Sequence, residues 1–511
     1  MSPRARFLLL SLLLGCDARD ARVALDDVLD ASEPGGERVD ASRPARDAQL
    51  AMVDARRDEA SVRDAAVDAF VELPYGPQLP DNPYAAGDGF ATQHGDPGAS
   101  DTTPLPGPGA KVKSTPLDLL AVCPSLLPRE DGTLLAICTQ IANQTPAVFL
   151  IDAAQLRTLA SLQLTKGDLF GGVYPFLDRE GRVVVVDGAN ELLRIGVEAG
   201  ALKIVEQVAL GDAVSAHCGS RTCDSVVGLA PDYAGQVWYA TASGLVGIAG
   251  GGTLDLKEGV ANSIAIAPEG TAVVTDHALY LLTAVGGAPR VTMRAEYDRG
   301  SARKPGQLSW GSGSTPTFFG PRTGSEYLAI TDNARPTFKL VVHRTDGSPE
   351  PVCTLAVPSP AGDASENSPI GAGRSVIVTS TFGYPYLALP KNARVSVPDS
   401  APLTGGMARI DVLADESCKL VWTNAVRSAT VPKLSTADRS IYTIERKLTL
   451  GPNSSPFDGY AYTVIDPQTG AVTTSQTLSL SDPMQLAGTI GRARAWYQGT
   501  TTGLARIEPS P

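Results

Sequence analysis

The chain has 511 residues, with 43 Lys and Arg against 55 Asp and Glu, for a formal net charge of −12. That balance argues against nucleic-acid binding, which needs a basic footprint. With 43% hydrophobic residues, 51 Gly and 39 Pro, the chain is turn-rich without being low-complexity, and it has room for two to four ordinary domains or one large all-β domain with appendages.

Arg4 and Arg6 precede an apolar run from Phe7 to Leu14, broken only by Ser11. A bilayer span needs about 20 apolar residues, so the run predicts a secretory signal core and not a transmembrane helix. It ends in Leu13, Leu14, Gly15 and Cys16. That stretch resembles the lipobox of bacterial lipoproteins. The resemblance implies a signal peptide over residues 1–15, a diacylglycerol on the Cys16 thiol and cleavage before Cys16. It implies a chain in the cell envelope, anchored to a bacterial membrane and facing the periplasm or the cell surface. An ordinary secretory signal with an incidental Cys is the alternative. Asp17 follows, a residue that in enterobacteria favours the inner membrane, a sorting rule that need not hold in other bacteria.

Residues 16–73 form a charged segment. Between Asp17 and Glu72 there are 15 acidic and 8 basic residues, no Lys, and eight Asp-Ala dipeptides. Such a composition buries too little apolar surface to offset ordering entropy, which predicts a disordered tether. An Ala-rich stretch over residues 50–73 carries a loose-helix option. Residues 74–116 hold 9 Pro and 7 Gly, which predicts an extended, semi-stiff linker. On this reading everything up to about residue 113 is dispensable for folding, and proteolysis trims the chain to near Lys111.

From residue 117 onward, short Val/Ile/Leu/Tyr runs alternate with Gly, Asp, Asn and Pro clusters, the strand-and-turn pattern. One unit over residues 262–296 divides into four strands, and its order recurs. Unit starts fall near 124, 172, 223, 262, 314, 366, 429 and 482, a mean spacing of about 51, which fits a β-propeller. The expected fold class is all-β: a β-propeller over residues 117–511 with eight four-stranded blades, or seven if one unit has been split. The last unit has room for three strands, and residues 117–122 are the candidate for its missing outer strand. The run at 465–470 is similar to the turn between third and fourth strands in quinoprotein-type repeats. Residues 262–276 are similar to a stretch of gluconolactonases and paraoxonase-like enzymes, a resemblance that implies a catalytic Ca²⁺ on Asn262. Those families have a Trp after the turn or six blades, features this chain does not reproduce.

In a propeller, the starts of first strands and the ends of second strands converge on one channel mouth. That places Asp187, Asn190, Asn262, Asp276, His277, Asp332, Asn333, Glu366 and Asn367 together, a net acidic oxygen set that suits a hard cation such as Ca²⁺. Asp and Asn are also ordinary turn residues whose side chains satisfy local backbone groups. There are four His, no Gly-x-Ser-x-Gly elbow and no phosphate loop. His217, Cys218 and Cys223 offer three zinc ligands on one loop, but a disulfide suits an oxidising compartment better. Setting Cys16 aside leaves six Cys, paired as Cys123–Cys138 across a hairpin, Cys218–Cys223 within a loop, and Cys353–Cys418 between outer strands of neighbouring units. The leading expectation is a monomeric, lipid-anchored binding or protein-interaction module for an unidentified small molecule or protein. A Ca²⁺-dependent lactonase or esterase is second and a quinone-dependent dehydrogenase third.

Overall fold

The computed structural model describes residues 75–166, 174–262, 264–390, 393–447 and 459–510. Cys16, the charged tether and its loose-helix option lie outside the described residues.

The described strands form eight sheets arranged as the blades of a propeller, built from antiparallel neighbours in sequence apart from two strands, Thr102–Thr103 and Val112–Asp118, that join blades made by the end of the chain. Blades 1 to 7 span residues 121–163, 176–209, 226–255, 265–296, 317–356, 370–424 and 433–478. Blade 8 takes Thr489–Ile490, Trp496–Thr500 and Gly503–Pro509. Second strands are packed on both faces by neighbouring blades: Val183–Val186, Tyr327–Thr331 and Ser375–Thr379 are buried throughout. Fourth strands form the rim, and Arg157–Gln163 shows the alternating exposure of a half-buried strand.

The ring closes with a strand from the other end of the chain. Val112–Asp118 pairs antiparallel with Gly503–Pro509, from Val112 opposite Pro509 to Asp118 opposite Gly503. The sequence placed this strand at residues 117–122, and the structure corrects it. Leu120 sits in a left-handed turn (φ 52°), and Ala121–Pro128 is already the inner strand of blade 1. An outermost strand buries one face only, so its apolar content is low; Pro116 is tolerated there because an edge strand need not donate every N–H. That made the strand look like linker.

All three expected disulfides form. Cys353–Cys418 joins the outer strands of blades 5 and 6. In blade 1 the ladder pairs Val122 with Thr139 but Ser125 with Ile137, so one residue is extra on the first strand. This bulge, at the Pro124 position that lacks an N–H, lets Cys123 meet Cys138. Cys218 ends the helix Gly211–Cys218 and bonds Cys223 just beyond it.

The Pro/Gly segment is not a free linker. Over residues 75–110 it forms a strap packed on the propeller, with Tyr75, Ala85, Phe90, Ala91 and Ala99 buried. Its backbone carbonyls accept hydrogen bonds from inner strands in blade order. Leu177 of blade 2 donates to Ala91 O (2.7 Å), Ile266 of blade 4 to Pro97 O (2.7 Å) and Phe318 of blade 5 to Gly98 O (2.9 Å). Gly371 of blade 6 donates to Ser100 O and Leu434 of blade 7 to Asp101 O, both at 3.0 Å. Thr102–Thr103 then adds a short parallel strand inside blade 7. The strap winds round the channel and satisfies N–H groups that a bare ring leaves open.

A buried ion pair pins it. Lys433 Nζ lies 2.8 Å from Asp101 Oδ1 and donates to Gln93 O at 3.0 Å. His94 Nδ1 lies 3.1 Å from both Asp101 oxygens, and the Ser368 hydroxyl donates to Asp101. Burial alone would raise the Asp101 carboxyl, but Lys433 and His94 overcome it and hold it below its ordinary value.

Removing one partner of a buried pair leaves the other charge uncompensated, so Lys433→Met should destabilise the domain by about 3–5 kcal/mol, with Asp101→Asn added to it recovering most of the loss. The urea midpoint at unchanged slope measures this. A chain beginning at residue 111 should also unfold at lower urea than one beginning at residue 75. Equal midpoints would show the strap to be a passenger.

Candidate functional site

The strap stops the channel from one side. Above it remains a pocket of about 130 Å³, walled by Pro124, Leu308, Val431, Met484 and Leu486 and carrying Asn262, Glu366, Asn367, Gln485, Tyr174 and Tyr386. Three of the nine mouth residues singled out in the sequence, Asn262, Glu366 and Asn367, therefore meet here. Asn262 precedes the inner strand of blade 4, while Glu366 and Asn367 precede that of blade 6.

The other six lie elsewhere, in turns. Asp187 Oδ1 accepts the Ala189 and Glu191 N–H groups at 2.9 and 3.0 Å. Asp332 Oδ1 does the same for Ala334 and Lys339 at 3.1 and 2.6 Å, and burial pushes its pKa up to about 6. Asn190 and Asn333 donate their amides to loop carbonyls: Arg221 and Asp224 for the first, Arg299 and Ala302 for the second. Asp276 binds His277 Nδ1 at 2.8 Å and Arg299 at 3.0 Å. Arg299 stacks on Trp310, whose ring also contacts Arg394.

The donor set does not fit the calcium centre that the resemblance implies. Among the described residues no three of His, Cys, Asp or Glu gather around one point. Asn262 Oδ1 accepts the Tyr174 hydroxyl at 3.1 Å, and Asn367 Nδ2 donates to Gln485 Oε1 at 3.0 Å. Nor do Ser368, His94 and Asp101 form a nucleophile relay. Serine and carboxylate both sit on Nδ1, whereas a relay needs them on opposite ring nitrogens.

Glu366 is the unusual group. Burial pushes its carboxyl up to about 8; the Leu308 N–H, Arg303 and the Asn262 amide pull it down only in part. Its Oε2 has no hydrogen-bond partner, and neither does the Tyr386 hydroxyl, although both atoms are buried. Gly313 packs so closely that a Cβ there would overlap Oε2. Tyr386 belongs to a long connection between Ser375–Thr379 and Met407–Val412 of blade 6, which lies over the pocket. Tyr386 and Ala388 face inward, while Leu387 and Leu389 alternate outward and are exposed.

The sequence missed Tyr174, Tyr386, Gln485 and the strap's Gln93 and His94, all pocket residues. One signal was present for Tyr386: the interval from 366 to 429 is 63 residues against the mean of about 51. A larger groove of about 720 Å³ runs between the strap and the turns of blades 1 and 2. Several of its charged side chains already pair, as in Arg129–Asp131 and Arg179–Asp81.

No family model matches the chain. An uncharacterized protein of Archaeoglobus fulgidus is 33% identical over 140 residues, 25% of this chain and 27% of that protein. The chain thus spans about a quarter of that relative's length. Among solved structures, a streptogramin B lyase gives TM-score 0.39 at 11% identity, covering 78% of this chain and 97% of its own. The WD40 domain of SCAP from fission yeast gives 0.44 at 9% identity, covering 78% and 98%. The dihydro-heme d1 dehydrogenase NirN gives 0.34 at 15%, covering 71% of each chain. None transfers an activity to this chain.

The raised Glu366 carboxyl has a stability consequence. In the unfolded chain it ionises near 4.5, in the folded protein near 8. Between those values the folded state holds the extra proton, so stability is fully present below about pH 4.5 and lost progressively up to about pH 8. Glu366→Gln should remove this slope. The wild-type-minus-variant difference in unfolding free energy should fall across that window and be flat above it.

Proposed function

We propose that this chain is a lipid-anchored, extracytoplasmic β-propeller that serves as a binding module, with the channel pocket around Glu366 as its ligand seat. One observation carries the reading: the channel keeps a pocket of about 130 Å³ whose wall gathers polar residues of the strap and of several blades, Gln93, Asn262, Glu366, Asn367 and Gln485 among them. Three disulfides fit an oxidising compartment outside the cytoplasm. Among the described residues no helix is long and apolar enough to cross a membrane. The lipobox ending at Cys16 supplies the anchor on this reading. The exposed Leu387, Leu389, Val395 and Val397 on the long connection of blade 6 give a partner protein an apolar rim to meet.

Cys16→Ser should move the protein into the soluble fraction, and its retention on membranes after a high-salt wash would overturn the anchor. For the binding role, the sequence has only five Met. Met484 lines the pocket, whereas Met293 and Met407 are buried in blades 4 and 6. In a small-fragment screen on protein labelled at its methionine methyls, hits should shift Met484 and leave Met293 and Met407 in place. Hits that never move Met484 would remove the channel as the seat.

A further inference from the structure

The pair that pins the strap also has the parts of a bond-forming site. Lys433 Nζ lies 2.8 Å from Asp101 Oδ1, and the two side chains are 2% and 0% exposed. A carboxyl C–O bond is about 1.2 Å long, so the nitrogen stands no farther than about 4 Å from the carboxyl carbon. Lys433 also donates to Gln93 O at 3.0 Å, which fixes the line of its approach. The carboxyl oxygens meet two further donors. His94 Nδ1 lies 3.1 Å from each, and the Ser368 hydroxyl donates to Oδ2. The His94 tautomer is set from behind. Ser125 donates to Gln93 Oε1, so the Gln93 amide turns its N–H towards His94 Nε2 at 3.4 Å and the ring proton stays on Nδ1. Asp96 is the other buried carboxyl near Lys433, but Ser100 takes its oxygens with both its hydroxyl and its backbone N–H.

We propose that the folded chain forms a covalent amide between Lys433 Nζ and Asp101 Cγ, which fixes the strap to blade 7. The step needs no outside reagent. The ammonium first passes one proton to the carboxylate, leaving an amine and a neutral acid. Out of water, the charged forms lose much of the solvation that favours them. The Nζ lone pair then attacks Cγ, and the His94 and Ser368 donors hold the oxyanion that develops. A proton moves from nitrogen to the leaving hydroxyl, the Cγ–O bond breaks, and one water departs. Nothing is oxidised or reduced. His94 and Ser368 also line the channel pocket, which gives the water a way out.

The pair starts ionic, because Lys433 and His94 hold the Asp101 carboxyl below its ordinary value. The neutral, reactive form is therefore the minor one, and the amide accumulates slowly in folded protein. Fixed contact offsets that handicap, since groups held in reacting geometry behave as if present at very high concentration. The urea comparison of Lys433→Met reads the ionic state of freshly folded protein. The amide adds to it a closure between residues 332 apart in the sequence, which should raise the urea midpoint further as the protein ages.

Peptide mapping of the full chain tests this. Trypsin cleaves after Arg63, Lys111, Arg427 and Arg439 but not after an acylated Lys433. Residues 64–111 should therefore appear joined to residues 428–439, one water lighter than the two together. The branched peptide should grow over days in protein held folded and should not grow in protein held in urea. Lys433→Arg keeps the charge but forms no amide, and should give none. His94→Asn and Ser368→Ala should each slow its growth at least about tenfold, with a cooperative urea transition certifying that each variant is folded. Growth at the wild-type rate in both would overturn the part given to the two donors. Absence of the branched peptide from wild-type protein held folded for weeks would overturn the proposal. So would a branched peptide joining Lys433 to any other carboxyl, or one that forms equally fast in urea.

Discussion

A ring of blades has an edge problem on its inside. Each blade's first strand is paired on one side only, and its other side faces the channel. Unpaired N–H groups there cost as much as lost hydrogen bonds when water is excluded. In this molecule the strap answers that demand. Five inner strands donate to five strap carbonyls, in the order the blades occur. The strap needs little side-chain chemistry of its own because it works through its backbone. Its Pro and Gly content suits the role: Pro residues have no N–H to leave unsatisfied, and Gly allows tight turns such as Gly95 (φ 97°).

The strap also decides where a ligand can sit. It occupies the channel from one face, so only the upper part stays open. The long connection of blade 6 then lies over that opening and contributes Tyr386. The pocket is what remains between a cork made by the N-terminal segment and a lid made by an insertion. Its small volume follows from both.

The blade architecture was legible because strand period and turn chemistry are local. Unit starts at 262, 314 and 366 lie within four residues of the inner strands at Ala265, Thr317 and Ile370. Fold topology also placed Asn262, Glu366 and Asn367 at one mouth, and they do share one pocket. The strap was illegible for a physical reason. A segment that packs through carbonyls carries no hydrophobic period, and its composition matches that of a linker. Asp187, Asn190, Asp332 and Asn333 were indistinguishable from ligands because turn residues and oxygen donors are the same residue types. What separates them is whether the oxygens and amides are spent on the backbone, which only the folded structure reveals. Tyr386 lay in an insertion whose length was visible but whose path was not.

Two buried carboxyls in this channel make the distinction between structure and site concrete. Asp101 is surrounded by Lys433, His94 and Ser368, and its carboxyl is held below its ordinary value. Every lone pair that burial strips of water is answered by a donor. Glu366 lies in the same channel, bordering the same pocket as His94 and Ser368, with a pKa moved the opposite way. No lysine reaches it among its described partners, and one oxygen is left without a donor. If Glu366 served only to hold the blades together, a Gln or an apolar residue would do so without the pH-dependent cost of a buried acid. Its Oε2 is closed off against Gly313 instead of being answered by a donor. The first carboxyl is held by the charges around it; the second is held by burial alone, and its proton is what the fold keeps in exchange.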